Sequence, residues 1–105
     1  MQIKHRVTGA VLREVNSDSL RGADLRNAKL QGAGLQGAGL WNASFRNASL
    51  QGADFRNADL RYADFRNADI QGANFQGADI RDANFQGADI RDADLRYTEE
   101  IDMNL

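Results

Sequence analysis

The sequence contains no cysteine, a single histidine and a single tryptophan among its 105 residues. Without cysteine, neither a disulfide framework nor a thiolate metal site is available, so packing and hydrogen bonds must hold the fold together. No apolar run approaches the roughly 20 residues of a membrane-spanning helix. Residues 1–17 also lack the apolar stretch of a signal peptide. We therefore expect a cytoplasmic protein that makes no contact with a membrane.

In place of these features, one five-residue word is repeated sixteen times between residues 18 and 97. The word reads alanine, then Asp or Asn, a large apolar residue, Arg or Gln, and finally Gly or Asn. Only the first word departs at the alanine position, where it has Asp18. The large apolar residue, called the central residue below, recurs at every fifth position without a gap. The central residues are Leu20, Leu25, Leu30, Leu35, Leu40, Phe45, Leu50, Phe55, Leu60, Phe65, Ile70, Phe75, Ile80, Phe85, Ile90 and Leu95.

A period of five fits neither an α-helix nor a single β-strand. On a helix every fifth residue advances by about 500°, so the central residues would spiral around all sides. On a strand they would alternate between the two faces. The remaining arrangement is a solenoid, in which each word forms one side of a coil and stacked coils share a core.

The phenylalanines indicate how many words make one coil. All five lie at alternate words, which strictly supports a period of ten residues. A two-sided coil of ten residues would be too tight to hold phenyl rings, so we predict a four-sided coil of twenty residues. Phe45, Phe65 and Phe85 should then lie directly over one another, with Phe55 and Phe75 on the opposite wall.

The other positions of the word have predicted roles as well. The alanine should point inward near a corner, where nothing larger fits. The Asp or Asn should accept hydrogen bonds from nearby backbone N–H groups. The final Gly or Asn suits a corner that requires positive φ.

The words Ala-Asp-Leu-Arg-Gly, Ala-Asp-Phe-Arg-Asn and Ala-Asn-Phe-Gln-Gly resemble those of the pentapeptide-repeat protein family. The resemblance covers residues 18–97, which is 80 of the 105 residues. It implies an all-β fold, namely a right-handed quadrilateral parallel β-helix (a β-solenoid) of about four 20-residue coils. It implies no single function, because the members of the family are diverse.

Residues 1–17 precede the repeats and are predicted to form a β-hairpin that caps the first coil. Gly9 in the middle of the segment and three β-branched valines favour a hairpin over a short helix. A three-residue loop would set two apolar pairs face to face on one side of the hairpin. These pairs are Val7 with Val11 and Ile3 with Val15.

Residues 98–105 follow the repeats and are predicted to be a C-terminal cap or tail. Thr98 could cap a short helix that has Glu99 and Glu100 in its first turn. Alternatively, Ile101, Met103 and Leu105 alternate as in a strand. Self-association through this end of the rod is compatible with either form.

The net charge of −2 is unevenly distributed. Residues 1–17 carry +2, residues 18–97 carry −1 and residues 98–105 carry −3. A nucleic-acid ligand is not expected, because the chain has no overall basic excess. A polyanion mimic would need far more acid.

No catalytic, cofactor-binding or metal-binding set is predicted, and no small-molecule substrate. His5 is the only histidine and has no nucleophile to form a catalytic arrangement with. Stacked carboxylates such as Asp59 and Asp79 are flanked by arginines, which favours a turn role over a metal site. Residues 32–37 spell the dinucleotide fingerprint GxGxxG, but that motif requires a strand before it and a helix after it.

The residue after each central position should face outward, and two adjacent walls carry six arginines and the only tryptophan there. Trp41 is expected between Arg21 and Arg61 in cation–π contact, with Tyr62 close by. The competing interpretation is a solvated face in which each Arg pairs with an Asp of the same or the next coil. The candidate partner-binding wall consists of Arg21, Trp41, Arg61, Tyr62 and Arg81.

The sequence therefore favours a non-enzymatic structural scaffold that presents a wall or an end cap to another protein or to its own copy. The alternative is a DNA-mimic type regulator of DNA gyrase or topoisomerase. The resemblance suggests this alternative, since the quinolone-resistance members of the family look like acidic DNA rods. A repeat region of charge −1 makes a poor mimic of DNA.

Overall fold

Residues 18–99 wind into a square tube in the computed structural model, which describes residues 1–99. Successive parallel bridges join residues that are twenty positions apart, as in the series Asp24, Ser44, Asp64 and Asn84. The N–H of Leu25 donates to Ser44 (2.8 Å), whose own N–H donates to Ala23 (2.9 Å). The predicted right-handed, four-sided β-helix with twenty residues per coil is confirmed.

Each wall of the tube consists of short extended segments, one from each coil, in which the central residue comes last. We number the walls in chain order. Wall 1 carries residues 23–25, 43–45, 63–65 and 83–85; wall 2 carries 28–30, 48–50, 68–70 and 88–90; wall 3 carries 33–35, 53–55, 73–75 and 93–95; wall 4 carries 38–40, 58–60, 78–80 and the start of a further segment at 98–99.

The corners are two-residue turns that follow from the last two positions of the word. At one corner the N–H of Ala63 donates to the carbonyl of Leu60 (3.0 Å), which closes a β-turn. The second turn residue, Tyr62, has φ 61°. A type II turn requires positive φ at this position, which explains why most words have Gly or Asn there.

The interior is filled by the central residues over a lining of alanine. Phe65 stacks on Phe45 and on Phe85 with ring centroids 4.8 Å apart in both pairs. On the opposite wall Phe55 stacks on Phe75 at 4.8 Å, and the two columns meet edge to face, as between Phe55 and Phe65 at 5.7 Å. The predicted aromatic columns are confirmed.

A hairpin lies across the start of the tube, formed by strand β1 (Gln2–Lys4) and strand β2 (Val11–Glu14). The predicted facing pairs are wrong. The observed pairs are Gln2 with Glu14, Ile3 with Arg13 and Lys4 with Val11, with a bulge between the last two.

The hairpin register differs because the loop is longer than three residues. The His5 N–H donates to Ala10 (2.8 Å), so the loop begins at His5. The His5 imidazole Nδ1 accepts the N–H groups of Val7 and Thr8, and Val7 is left 73% exposed. Ile3 is nevertheless buried in the core and covers the first coil.

The hairpin attaches to wall 3 by antiparallel pairing. The N–H of Arg6 donates to Gly32 (2.8 Å), and the N–H of Gly34 donates to Lys4 (2.8 Å). A Cβ atom at Gly32 would overlap the His5 ring, and one at Gly34 would lie 3.3 Å from the Arg6 Cα. The glycines of the GxGxxG stretch therefore permit the close approach of the hairpin.

At the other end, the ladder continues two residues beyond position 97, where the repeats were predicted to stop. Glu99 bridges Asp79, and its N–H donates to Ala78 (2.9 Å). Thr98 therefore belongs to wall 4 and does not begin a helix. The choice between helix and strand for residues 100–105 lies outside the described residues. Within residues 1–99, no helix is long and apolar enough to cross a membrane.

Because of the ring columns, the same substitution should lower the free energy of unfolding by different amounts at two equally buried positions. Phe65 takes part in four ring pairs, whereas Phe85 takes part in two. Since an aromatic pair contributes about 0.5–1.5 kcal/mol beyond its buried area, Phe65→Leu should cost about 1–3 kcal/mol more than Phe85→Leu. Equilibrium denaturation in urea measures both free energies of unfolding. Equal losses would show that the columns add nothing to simple burial.

Candidate partner-binding edge

The corner between walls 4 and 1 brings the predicted site residues into one vertical row. We call this row, made of Arg21, Trp41, Arg61, Tyr62 and Arg81, the Trp41 edge. Each coil contributes one two-residue turn to it, because the positions twenty apart stack directly. All five side chains therefore belong to a single edge of the rod.

Three side chains from successive coils contact one another at the Trp41 edge, with Trp41 in the middle. The Cζ of Arg21 lies 5.2 Å from the Trp41 ring centroid. Tyr62 meets Trp41 at 5.8 Å between centroids, with an angle of 68° between the ring planes. The expected second cation is not there, because Arg61 Nη2 lies 2.8 Å from Asp59 Oδ2. The predicted sandwich of Trp41 between two arginines is therefore wrong on the Arg61 side.

Tyr62 occupies its turn at a conformational cost. Its φ of 61° lies in the left-handed region, which a bulky side chain adopts with strain. Its side chain is 54% exposed, so core packing does not explain the residue. Tyr97 shares both features, with φ 62° and 83% exposure, so the contact with Trp41 is what distinguishes Tyr62. Trp41 and Tyr62 together offer the amphipathic contact that is common in protein interfaces.

Most arginines of the repeats are bound by the aspartate two positions earlier in the same word. Asp54 is 4% exposed, and its Oδ1 accepts the N–H (3.0 Å) and Nε (2.9 Å) of Arg56, while its Oδ2 accepts Nη2 (2.6 Å). The seven such pairs in residues 1–99 are Asp24–Arg26, Asp54–Arg56, Asp59–Arg61, Asp64–Arg66, Asp79–Arg81, Asp89–Arg91 and Asp94–Arg96.

These pairs hold the carboxylates in their charged form. The side-chain hydrogen bonds from Arg26 lower the pKa of Asp24 to about 2. Burial alone would raise the pKa of Asp54, but the hydrogen bonds from Arg56 outweigh it and the pKa is lowered. The interpretation in which Arg pairs with Asp of its own coil therefore describes most of the outer surface.

Arg21 and Arg46 are the repeat arginines without such a partner. Their words carry Ser19 and Ser44 at the aspartate position. Serine has one side-chain oxygen, so it cannot form the fork in which both carboxylate oxygens accept from one guanidinium group. Arg21 stacks on Trp41 instead, and Arg46 reaches only to Asp64 of the next coil, at 3.9 Å. Arg46 is not among the predicted site residues, although Ser44 in the aspartate position of its word marks it in the sequence.

The stacked carboxylates do not form a metal centre. Among residues 1–99, no group of three or more His, Asp or Glu side chains is placed to hold a metal ion. Asp59 and Asp79 are each held by the arginine of their own word.

The repeats match the family model described as pentapeptide repeats, with eight copies over residues 19–40, 39–77 and 58–96. The chain belongs to the pentapeptide-repeat family. No curated protein matches the sequence.

Solved structures of the same family resemble the chain. A pentapeptide repeat protein from the Arabidopsis thaliana thylakoid lumen has a TM-score of 0.74 and 31% identity over 78% of this chain. The chain spans 59% of the length of that protein. A pentapeptide repeat protein from the cyanobacterium Cyanothece 51142 has a TM-score of 0.59 and 24% identity, covering 98% of this chain and 77% of the other. The second likeness concerns the fold alone.

The lowered pKa values predict a loss of stability in acid. A carboxylate whose pKa is lowered by folding stabilises the fold above its ordinary pKa of 3.8, and this contribution is lost as the pH falls through the folded value. The free energy of unfolding should therefore fall between about pH 4 and pH 2, as urea denaturation can measure. Carboxyl-carbon NMR should show Asp24 titrating near 2.

Arg26→Gln is the matched variant for this prediction. Removing the guanidinium should return the titration of Asp24 toward 3.8 and leave the other six pairs unchanged. If Asp24 already titrates near 3.8 in the unaltered protein, the hydrogen-bonded fork does not persist in solution.

Proposed function

We propose that the protein is a non-enzymatic scaffold whose Trp41 edge binds another protein. The observation that supports the proposal best is the edge-to-face pair of half-buried Trp41 and exposed Tyr62. Arg21 lies over the Trp41 ring, and Tyr62 occupies a strained turn. Proteins of this family are generally structural and not enzymes. A scaffold needs binding residues at fixed positions, and the backbone hydrogen bonds between coils keep the edge residues one coil spacing apart.

A photo-crosslinking amino acid at position 62 tests the proposal. Position 97 is the matched control, because Tyr97 is also a tyrosine at positive φ (62°) and is 83% exposed, but lies at another corner. In the cells of origin, we expect one discrete adduct from position 62 and a much weaker one from position 97. Mass spectrometry of the adduct identifies the partner.

The substitution Trp41→Ala should abolish the adduct at position 62 while the circular dichroism spectrum remains that of a β-helix. Adducts of similar strength from both positions would contradict a localised edge. An adduct at position 97 alone, between two copies of the chain, would move the contact to the C-terminal end of the rod.

Gyrase regulation by duplex mimicry, the second hypothesis from the sequence, is less well supported by the surface charges. Seven aspartates of the repeats are paired with arginines, so the rod has no continuous strip of free carboxylates of the kind a mimic of DNA phosphates would need. We expect micromolar protein to leave DNA supercoiling by gyrase unchanged. Inhibition or protection of gyrase in this assay would favour mimicry over the scaffold.

A further inference from the structure

Charge changes steadily along the axis of the rod. The hairpin, residues 1–17, carries +2, and the first two coils, residues 18–37 and 38–57, carry +1 each. The next two coils, residues 58–77 and 78–97, carry −1 and −2. The Trp41 edge therefore begins in a positive half and ends in a negative half.

The gradient comes from one position of the word. From Asp54 to Asp94 every word has Asp or Asn before its central residue, whereas among the seven preceding words only Asp24 does. The six departures lie on the first two coils and replace a carboxylate with a neutral or basic residue. They are Ser19, Lys29, Gly34, Gly39, Ser44 and Ser49.

One of these departures interrupts the row of Asp–Arg pairs along wall 1, beside the Trp41 edge. Above and below it, Asp24 and Asp64 bind the arginines of their own words. At the level of Trp41 the position is Ser44, and both Ser44 Oγ and Arg46 Nε are buried without a hydrogen-bond partner. The Arg46 side chain is still 43% exposed, so its charge faces solvent without a fork.

We propose that the Trp41 edge and Arg46 together bind a short acidic segment of the partner protein. This inference rests on the proposed function and specifies the chemistry of the partner. Arg21 and Arg46 provide two guanidinium groups that no aspartate of their own words binds. Carboxylates pair with guanidinium in a bidentate manner. Trp41 and Tyr62 provide the apolar surface between and beside them.

The dimensions and charges favour a short peptide segment over a nucleic acid. Three extended residues separate the two corners of wall 1, which corresponds to about 10 Å. A few residues of an extended peptide span that distance. A longer polyanion would continue onto coils of charge −1 and −2, where like charges repel it.

A labelled peptide that alternates glutamate with glycine and carries one leucine serves as the probe, with a glutamine-for-glutamate peptide for comparison. Fluorescence anisotropy should detect binding of the acidic peptide alone. The affinity should fall when ionic strength rises from about 0.05 to 0.2 M, because exposed charges are then screened. Trp41→Ala should also weaken binding.

The decisive variant is Ser44→Asp, which supplies Arg46 with the fork that Asp64 supplies to Arg66. We expect it to weaken peptide binding by roughly tenfold, since a charge-assisted pair is redirected inside the protein. Ser49→Asp is the matched control. It makes the same change in the same coil but on wall 2, and it should have a much smaller effect.

The outcomes separate this inference from the proposed function. If Ser44→Asp and Ser49→Asp weaken peptide binding equally, or if the glutamine peptide binds as tightly as the acidic one, the inference of an acidic segment is wrong. The proposed function would be unaffected, because the crosslink at position 62 tests it separately. A single-stranded oligonucleotide that binds more tightly than the acidic peptide would also overturn the inference of an acidic segment. A missing crosslink at position 62, together with peptide binding that Ser44→Asp weakens, would instead contradict the role of the edge in the cell.

Discussion

The distance between stacked coils is the constraint on which the structure depends. Phenyl rings stack at 4.8 Å in this core, which is also the distance that hydrogen bonds set between neighbouring β-segments. Ring stacking and backbone pairing therefore require the same rise per coil. A slip of one word would place Phe65 over a leucine wall and break both columns. This register also determines which outward side chains lie above one another, so the Trp41 edge follows from the core.

The core could be predicted from the sequence because each of its rules is local and repeated. The central residue and the positive-φ corner recur in every word, and the alanine in every word after the first. Each of these positions has a single place in a four-sided coil. The hairpin register could not be predicted in this way. His5 binds two loop N–H groups, and the backbone of Lys4 and Arg6 pairs with Gly34 and Gly32. Alternation of valines carries no information about either contact.

At the Trp41 edge, the repeat determines where each arginine lies, whereas a single neighbouring residue determines whether that arginine is bound by a carboxylate. The spacing of twenty residues predicts Arg21, Trp41 and Arg61 in one row, as observed, but it does not distinguish the two arginines. Asp59 lies two positions before Arg61 and binds it through Oδ1 and Oδ2, which is stronger than contact with an aromatic face. Arg21 follows Ser19 and remains available to Trp41. The residue two positions before each arginine therefore decides which arginines remain available.

In a repeat this regular, positions that obey the word explain the rod, and positions that depart from it distinguish one member of the family from another. Four of the departures, namely Ser19, Trp41, Ser44 and Tyr62, lie around one corner. The others, such as Lys29 and Tyr97, lie on other walls and corners. Tyr62 brings backbone strain, and Ser44 leaves a buried hydroxyl unpaired. Both changes are unfavourable for the isolated rod, and the binding role proposed for the Trp41 edge would account for them.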